Sequence, residues 1–283
     1  MTTDSSNNQT QHKKQKSWIP VLLITIAISY LALVQYIPAI NVFYQAFKSG
    51  IIPFFANLST PQFLHAAWLT LLLAVITLPV NTVFGLCAAW SITRHKFPGR
   101  AIVISIIDLP FSISPVVAGL MLVLVYGKRG WFGGFVEATD LQIIFGFPGM
   151  LLATTFVSMP FVAREVIPVL EEFGKEQEEA ARTLGANEWQ IFWRVTLPSV
   201  RWGLLYGLIL TNARTMGEFG AISVVSGNII GKTQTLPLFV EDAYKQYETE
   251  TAFSAAVLLA LLAVVTLVVK GILEKKTQVK NEE

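Results

Sequence analysis

Six apolar stretches, each long enough to cross a membrane, dominate this chain and leave few folds open to it. A hydrocarbon core of roughly 30 Å takes about 20 mainly apolar residues in a helix. Such runs occur at approximately Trp18–Ile40, Phe63–Ile92, Ala101–Tyr126, Ile143–Ile167, Trp202–Val225 and Ala252–Lys270. Lipid offers the backbone no hydrogen-bond partner, so spans of this kind are predicted to be α-helices. Hydrophobic residues make up 53% of the 283 and charged residues only 14%, which excludes an ordinary soluble domain. The predicted fold class is an all-α polytopic membrane protein with six transmembrane helices.

An even number of spans puts both ends on one side. With the amino terminus inside, fifteen of the 21 lysines and arginines fall in inner segments, among them Lys14, Arg94, Arg100, Arg164, Arg182 and Lys275. Five fall in outer segments, and Arg214 lies within a span. Positive charge collects on the cytoplasmic face, so both termini are expected there. Residues 1–17 are polar and aperiodic, which predicts a disordered cytoplasmic tail, with a second tail over 272–283 and one membrane domain over 18–271. The net charge of +2 follows from this topology and carries no sign of nucleic-acid binding. Membrane lipid is the expected surrounding. The single cysteine, Cys87, excludes an internal disulfide and is expected to be a packing residue of the second span.

The polar stretch between the fourth and fifth spans has its own pattern. Glu176 to Leu184 is a run of good helix formers, and Gly185 follows where a left-handed terminator would sit. Asn187 then offers an N-cap oxygen, Gln190 stands three residues on, and Ile191, Phe192 and Val195 supply an apolar face. A compact helix-turn-helix is predicted, with Leu184 and Trp189 as its natural apolar contacts.

Within that stretch Glu179-Ala180-Ala181, three residues, Gly185, nine residues, then Val195-x-Leu197-Pro198 resembles the cytoplasmic signature of the membrane subunits of ATP-binding-cassette importers, E-A-A…G…I-x-L-P. The one departure is Val195 in place of isoleucine. The resemblance implies the type I, MetI-like permease fold over 18–271. It also implies a coupling loop, about residues 168–200, in which Glu179, Ala180, Ala181, Leu184, Gly185, Trp189, Leu197 and Pro198 dock on a separate ATPase.

The fifth span places Arg214 and Glu218 four residues apart in an apolar stretch that also holds Gly217 and Gly220. Ionised groups at the bilayer centre cost roughly 2.5–3.5 kcal/mol each on insertion scales, so the two are expected to pair on one helix face, away from lipid. The glycines are expected to pack against a neighbouring helix on that face. The string Ala213-Arg-Thr-Met-Gly-Glu-Phe-Gly-Ala221 is similar to a segment shared by sulfate and molybdate permeases. Ser223–Asn228, Gly231–Pro237 and Asp108–Gly119 resemble the W-type subunit of sulfate/thiosulfate importers.

That resemblance implies a machine with a homologous T-type permease, two copies of a cytoplasmic ATPase, and a periplasmic or surface binding protein that delivers the anion. ATP and magnesium would belong to the ATPase, with no cofactor, metal or catalytic residue in this chain. Gly227, Gly231, Lys232 and Thr233 imitate a phosphate-binding loop, but one residue is missing between the glycines and no strand precedes them. Arg214, Glu218, Gly217 and Gly220 are the candidates for the translocation pathway or its gate. A molybdate/tungstate permease and an ATPase-independent secondary transporter are the alternative readings, and a bacterial inner membrane is the expected location.

Overall fold

A computed structural model describes residues 18–139 and 141–281, and the expected tail over 1–17 lies outside them. Among the described residues the regular structure is helical. The chain divides into two units, Met1–Tyr44 and Gln45–Glu283. Helix α1 (Trp18–Leu31), a π-helical turn Ala32–Tyr36 and α2 (Ile37–Phe47) form one apolar rod of 30 residues. At 1.5 Å per residue it is about 45 Å long, more than the hydrocarbon thickness.

The larger unit is built around α4 (Pro61–Arg94), which follows the short α3 (Ile51–Leu58). Thr60 caps α4 by accepting the Phe63 N–H, and Pro61 begins it where a missing N–H is harmless. After the Phe97-Pro98-Gly99 turn come α5 (Arg100–Ser112) and α6 (Pro115–Tyr126), bent from each other by 111°. Proline disfavours helix at the residue before it, and Ser114 is accordingly extended (φ −56°, ψ 134°). The third span is therefore broken at Ile113–Ser114.

A short helix α7 (Gly133–Thr139) leads to α8 (Phe147–Ser158) and α9 (Pro160–Phe173), which together form one apolar run of 27 residues. The polar stretch folds as α10 (Glu176–Thr183) and α11 (Glu188–Ile191), then a π-helical turn Phe192–Thr196 into α12 (Leu197–Met216). The fifth span does not continue to Val225. Helix α12 ends at Met216 and α13 (Gly220–Ser226) starts anew. The chain closes with α14 (Leu236–Lys245) and α15 (Thr249–Asn281), so the expected carboxy-terminal tail is helical backbone as far as Asn281.

Close approach holds these helices together. Lipid tails are as apolar as leucine, so burial from water cannot drive helix pairing, and small residues must let backbones meet. A Cβ at Gly85 of α4 would lie 2.6 Å from the Val162 Cβ, and one at Gly207 of α12 would lie 2.9 Å from the Val162 Cα. Val162 of α9 is thus a knob between two glycines. Ala89, Val166, Leu170 and Val200 extend this layer. Asn81 of α4, fully buried, donates to Ser158 Oγ (2.8 Å) and the Thr155 carbonyl (3.3 Å), joining α4 to α8. Cys87 faces outward and is exposed, contrary to its expected packing role, because the buried face of α4 runs through Asn81, Gly85, Ala89 and Ile92.

Candidate functional site: the polar loop and the broken fifth span

The loop has the predicted shape. Leu184 and Gly185 return N–H bonds to the Ala180 and Arg182 carbonyls, and Ala186 bonds to Ala181 (3.1 Å). Gly185 has φ +87°, the left-handed conformation that favours glycine. Asn187 Oδ1 accepts the Gln190 N–H at 2.8 Å, while the Asn187 N–H donates to Gln190 Oε1 at 3.0 Å, a complete capping box. Arg182 and Glu188 pair across the turn at 2.7 Å. The tip presents unusual apolar exposure, with Leu184 88% and Trp189 69% exposed. Trp193 stands edge-on to Trp189, with ring centroids 5.6 Å apart. Glu179 and Ala180 are exposed and Ala181 is half-buried. Leu197 packs inward on the Val162 layer, and Pro198 opens α12.

The residue that anchors this loop, Glu178, was not singled out by the sequence pattern. It is buried, and Arg94 at the end of α4 reaches its carboxylate with Nε at 2.9 Å. Arg94 Nη2 donates to Glu178 Oε1 at 3.0 Å, and Thr196 Oγ1 donates to the same oxygen at 2.8 Å. Arg94 Nη1 donates to the Leu170 carbonyl (3.1 Å), and Lys175 Nζ donates to the Arg94 carbonyl (2.8 Å). One ion pair therefore ties α4, α9, α10 and the start of α12 at a single point. A recess of about 400 Å³ opens beside it, lined by Trp90, His95, Arg182, Glu188 and Phe192 among others.

The fifth-span residues are brought together differently from the expectation. Arg214 Nη1 lies 2.7 Å from Glu218 Oε2, a close ion pair, with Glu218 fully buried. The two do not share one helix face, because Glu218 lies past the end of α12. Its other oxygen, Oε1, accepts the Ala221 N–H at 2.8 Å and so caps α13. Gly217 terminates α12, its N–H returning to the Ala213 carbonyl at 3.3 Å; a Cβ there would meet only that carbonyl, so it is not a packing glycine. Gly220 is one. A Cβ on it would lie 3.0 Å from the Pro115 Cβ, and one on Gly119 would lie 2.8 Å from the Ala221 carbonyl. The breaks in the third and fifth spans thus meet.

The family described as "binding-protein-dependent transport system inner membrane component" matches residues 81–279, from the middle of α4 to near the end of α15. The chain belongs to this family. Its type I, MetI-like permease fold is all-helical, and a bacterial alginate ABC transporter, solved with a periplasmic protein carrying an alginate pentasaccharide, superimposes with a TM-score of 0.76 at 19% identity, covering 92% of this chain and 95% of that one. The sulfate transport system permease protein CysW of Synechocystis is 65% identical over 92% of this chain and 94% of its own length. The Escherichia coli permease CysT is 36% identical over 85% of this chain and 88% of its own length. As an inner-membrane component of an ABC transport system, the chain is a permease subunit and not an enzyme.

For this permease subunit the ion pair sets a direct expectation. Glu178→Ala strands Arg94 in a buried site, a change that costs about 3–5 kcal/mol when one partner of a buried pair is lost. Amide exchange over 176–196 should then accelerate while α8 stays protected. Unchanged exchange there would show that the pair does not hold the loop.

Proposed function

We propose that the chain is the W-type membrane subunit of an ATP-driven sulfate/thiosulfate importer. It would form the translocation pathway with a T-type sister permease and take its drive from two copies of a cytoplasmic ATPase, with a periplasmic or surface binding protein supplying the anion. The single observation that carries this reading is the 65% identity to a CysW protein across nearly the whole of both chains, coupling loop included. ATP and magnesium belong to the ATPase in this scheme, and this chain supplies no cofactor site. Its termini are cytoplasmic in a bacterial inner membrane, which places the Leu184–Trp189 tip where an ATPase can reach it.

The loop geometry supports docking through the tip. Leu184 and Trp189 are apolar and exposed, while Glu178 and Arg94 hold the turn to the membrane helices, so a push on the tip moves α9 and α12 instead of bending the loop. Closure of the ATPase dimer would then swing the two permeases between inward-facing and outward-facing states. Gly185→Pro cannot adopt φ +87° and loses the N–H that meets the Arg182 carbonyl. The variant should insert normally in the membrane yet fail to co-purify the ATPase; retained co-purification would refute docking at this turn.

The broken fifth span supports a gate. A bare arginine in the pathway would hold a dianion too tightly for release, and the paired carboxylate moderates it. Because Glu218 also caps α13, separating it from Arg214 releases two elements at once. The double variant Arg214→Gln, Glu218→Gln should assemble but lose coupled uptake, whereas transport at the native rate would remove the pair from the gate.

Radiolabelled sulfate uptake, measured in cells lacking this chain and again after its restoration, tests the whole reading. Loss followed by rescue is the expected result, with competition by unlabelled thiosulfate. Competition by molybdate alone would assign the alternative molybdate/tungstate substrate, and uptake that persists without the ATPase would assign a secondary transporter.

A further inference from the structure

Beyond Arg100, helix α5 is apolar except for one line of residues. Ser105, Asp108 and Ser112 stand at i, i+3 and i+7 and so share a face. Ser105 and Ser112 are exposed, and Asp108 is half-exposed. From α9, Arg164 meets this line with a two-point pair, Nε to Oδ1 at 2.9 Å and Nη2 to Oδ2 at 3.1 Å. Its guanidinium also sits 4.8 Å from the centre of the Phe111 ring. Asp108 engages two of the three guanidinium nitrogens and leaves the Nη1 hydrogens for another acceptor. The Arg164 side chain is 56% exposed.

The depth of this pair makes its exposure informative. Arg100 and Glu171 pair at the polar end of the same two helices, 2.6 Å apart. Asp108 lies eight residues beyond Arg100 and Arg164 seven before Glu171, so the second pair is two turns deeper, about 11–12 Å along the helices. Between the pairs, Ile104 and Ile107 pack with Ala163 and Ile167 in an apolar layer. Arg164, counted with the inner charges from sequence, is therefore a membrane-depth residue, because α9 runs on to Phe173.

Charges at that depth do not face lipid. A second observation says what they face. The polar line ends at the break between α5 and α6, where Ser112 and Ser114 are exposed and the backbone leaves the helix. Broken backbone at membrane depth is tolerated when it is buried in protein or lines water, and here it is not buried by its own chain. The Asp108–Arg164 pair already satisfies both charges, so water is a sufficient neighbour for this face.

We propose that Ser105, Asp108, Ser112 and Arg164 line an aqueous stretch of the translocation route, and that Arg164 is a transient contact for a small oxyanion there. Only the identity of that anion rests on the sulfate reading. Asp108 fixes the guanidinium and offsets its charge, which keeps the contact weak enough to release.

The test uses the assembled importer in inside-out vesicles, with Cys87→Ala as the background and single cysteines at Ser105, Ser112 and, as a control, Ile106. Ile106 is exposed but stands two residues from Asp108, on the far side of the helix. Impermeant anionic and cationic methanethiosulfonates of matched size report access and sign. Ser112→Cys and Ser105→Cys should react about tenfold faster than Ile106→Cys, as water-lined positions do. The anionic reagent should be preferred at Ser112→Cys, and adding Arg164→Gln should remove a preference of about tenfold. Equal rates at all three positions, or a sign preference unaltered by Arg164→Gln, would overturn the proposal. A native chain that restores no sulfate uptake to cells lacking it, while the Ser112→Cys vesicles keep the preference, would refute the sulfate reading and leave the aqueous line standing.

Discussion

The Arg94–Glu178 ion pair is the constraint on which the loop end of this permease depends. Two charges withdrawn from water are costly, and such a pair persists only when its remaining donors and acceptors are met. Here they are met by Thr196, the Leu170 carbonyl and, through Lys175, the end of α4 itself. Each partner comes from a different element. The loop is consequently an extension of three membrane helices, and force applied at Leu184 or Trp189 has a stiff route inward. That route continues through the Val162 knob between Gly85 and Gly207, where packed atoms at contact distance leave little room for one helix to slip along another.

Against this rigid assembly stands a second one. Helices α6, α8 and α13 share the buried residues Ala118, Ala153, Val157, Ala221 and Val225. The two assemblies are linked through the Asn81 bonds to α8, the α8–α9 run and residues 217–219, where the backbone leaves the helix and Glu218 pairs with Arg214 and accepts the Ala221 N–H. A short non-helical joint flanked by packed layers is the arrangement expected of a hinge.

The parts legible in the sequence were those whose causes are local. Gly185, Asn187 and Gln190 lie within six residues of one another, and their turn and capping box follow from backbone chemistry alone. Apolar length likewise located Trp18–Phe47, Pro61–Arg94 and Phe147–Phe173, the three helices among the described residues that are long and apolar enough to cross a membrane. What was hidden depends on distant partners. Glu178 sits in a run with Glu176 and Glu179, and nothing local distinguishes the one that will be buried; Arg94, which selects it, is 84 residues away. The break after Met216 was missed because hydrophobicity continues across it, although Gly217 was the signal. Pro115 stands at the break between α5 and α6, but a 111° turn is set by what α6 packs against.

That turn has a consequence for how the protein is made. Helix α6 has twelve residues, about 18 Å of helix, and cannot cross a 30 Å hydrocarbon core by itself. Its close neighbours include Gly220 and Ala221, about a hundred residues later in the chain, and without them the open backbone at Ser114 has no settled surroundings. The third segment therefore cannot reach its final posture as it leaves the ribosome. Its packing against Gly220 and Ala221 can form only after α13 has been synthesised.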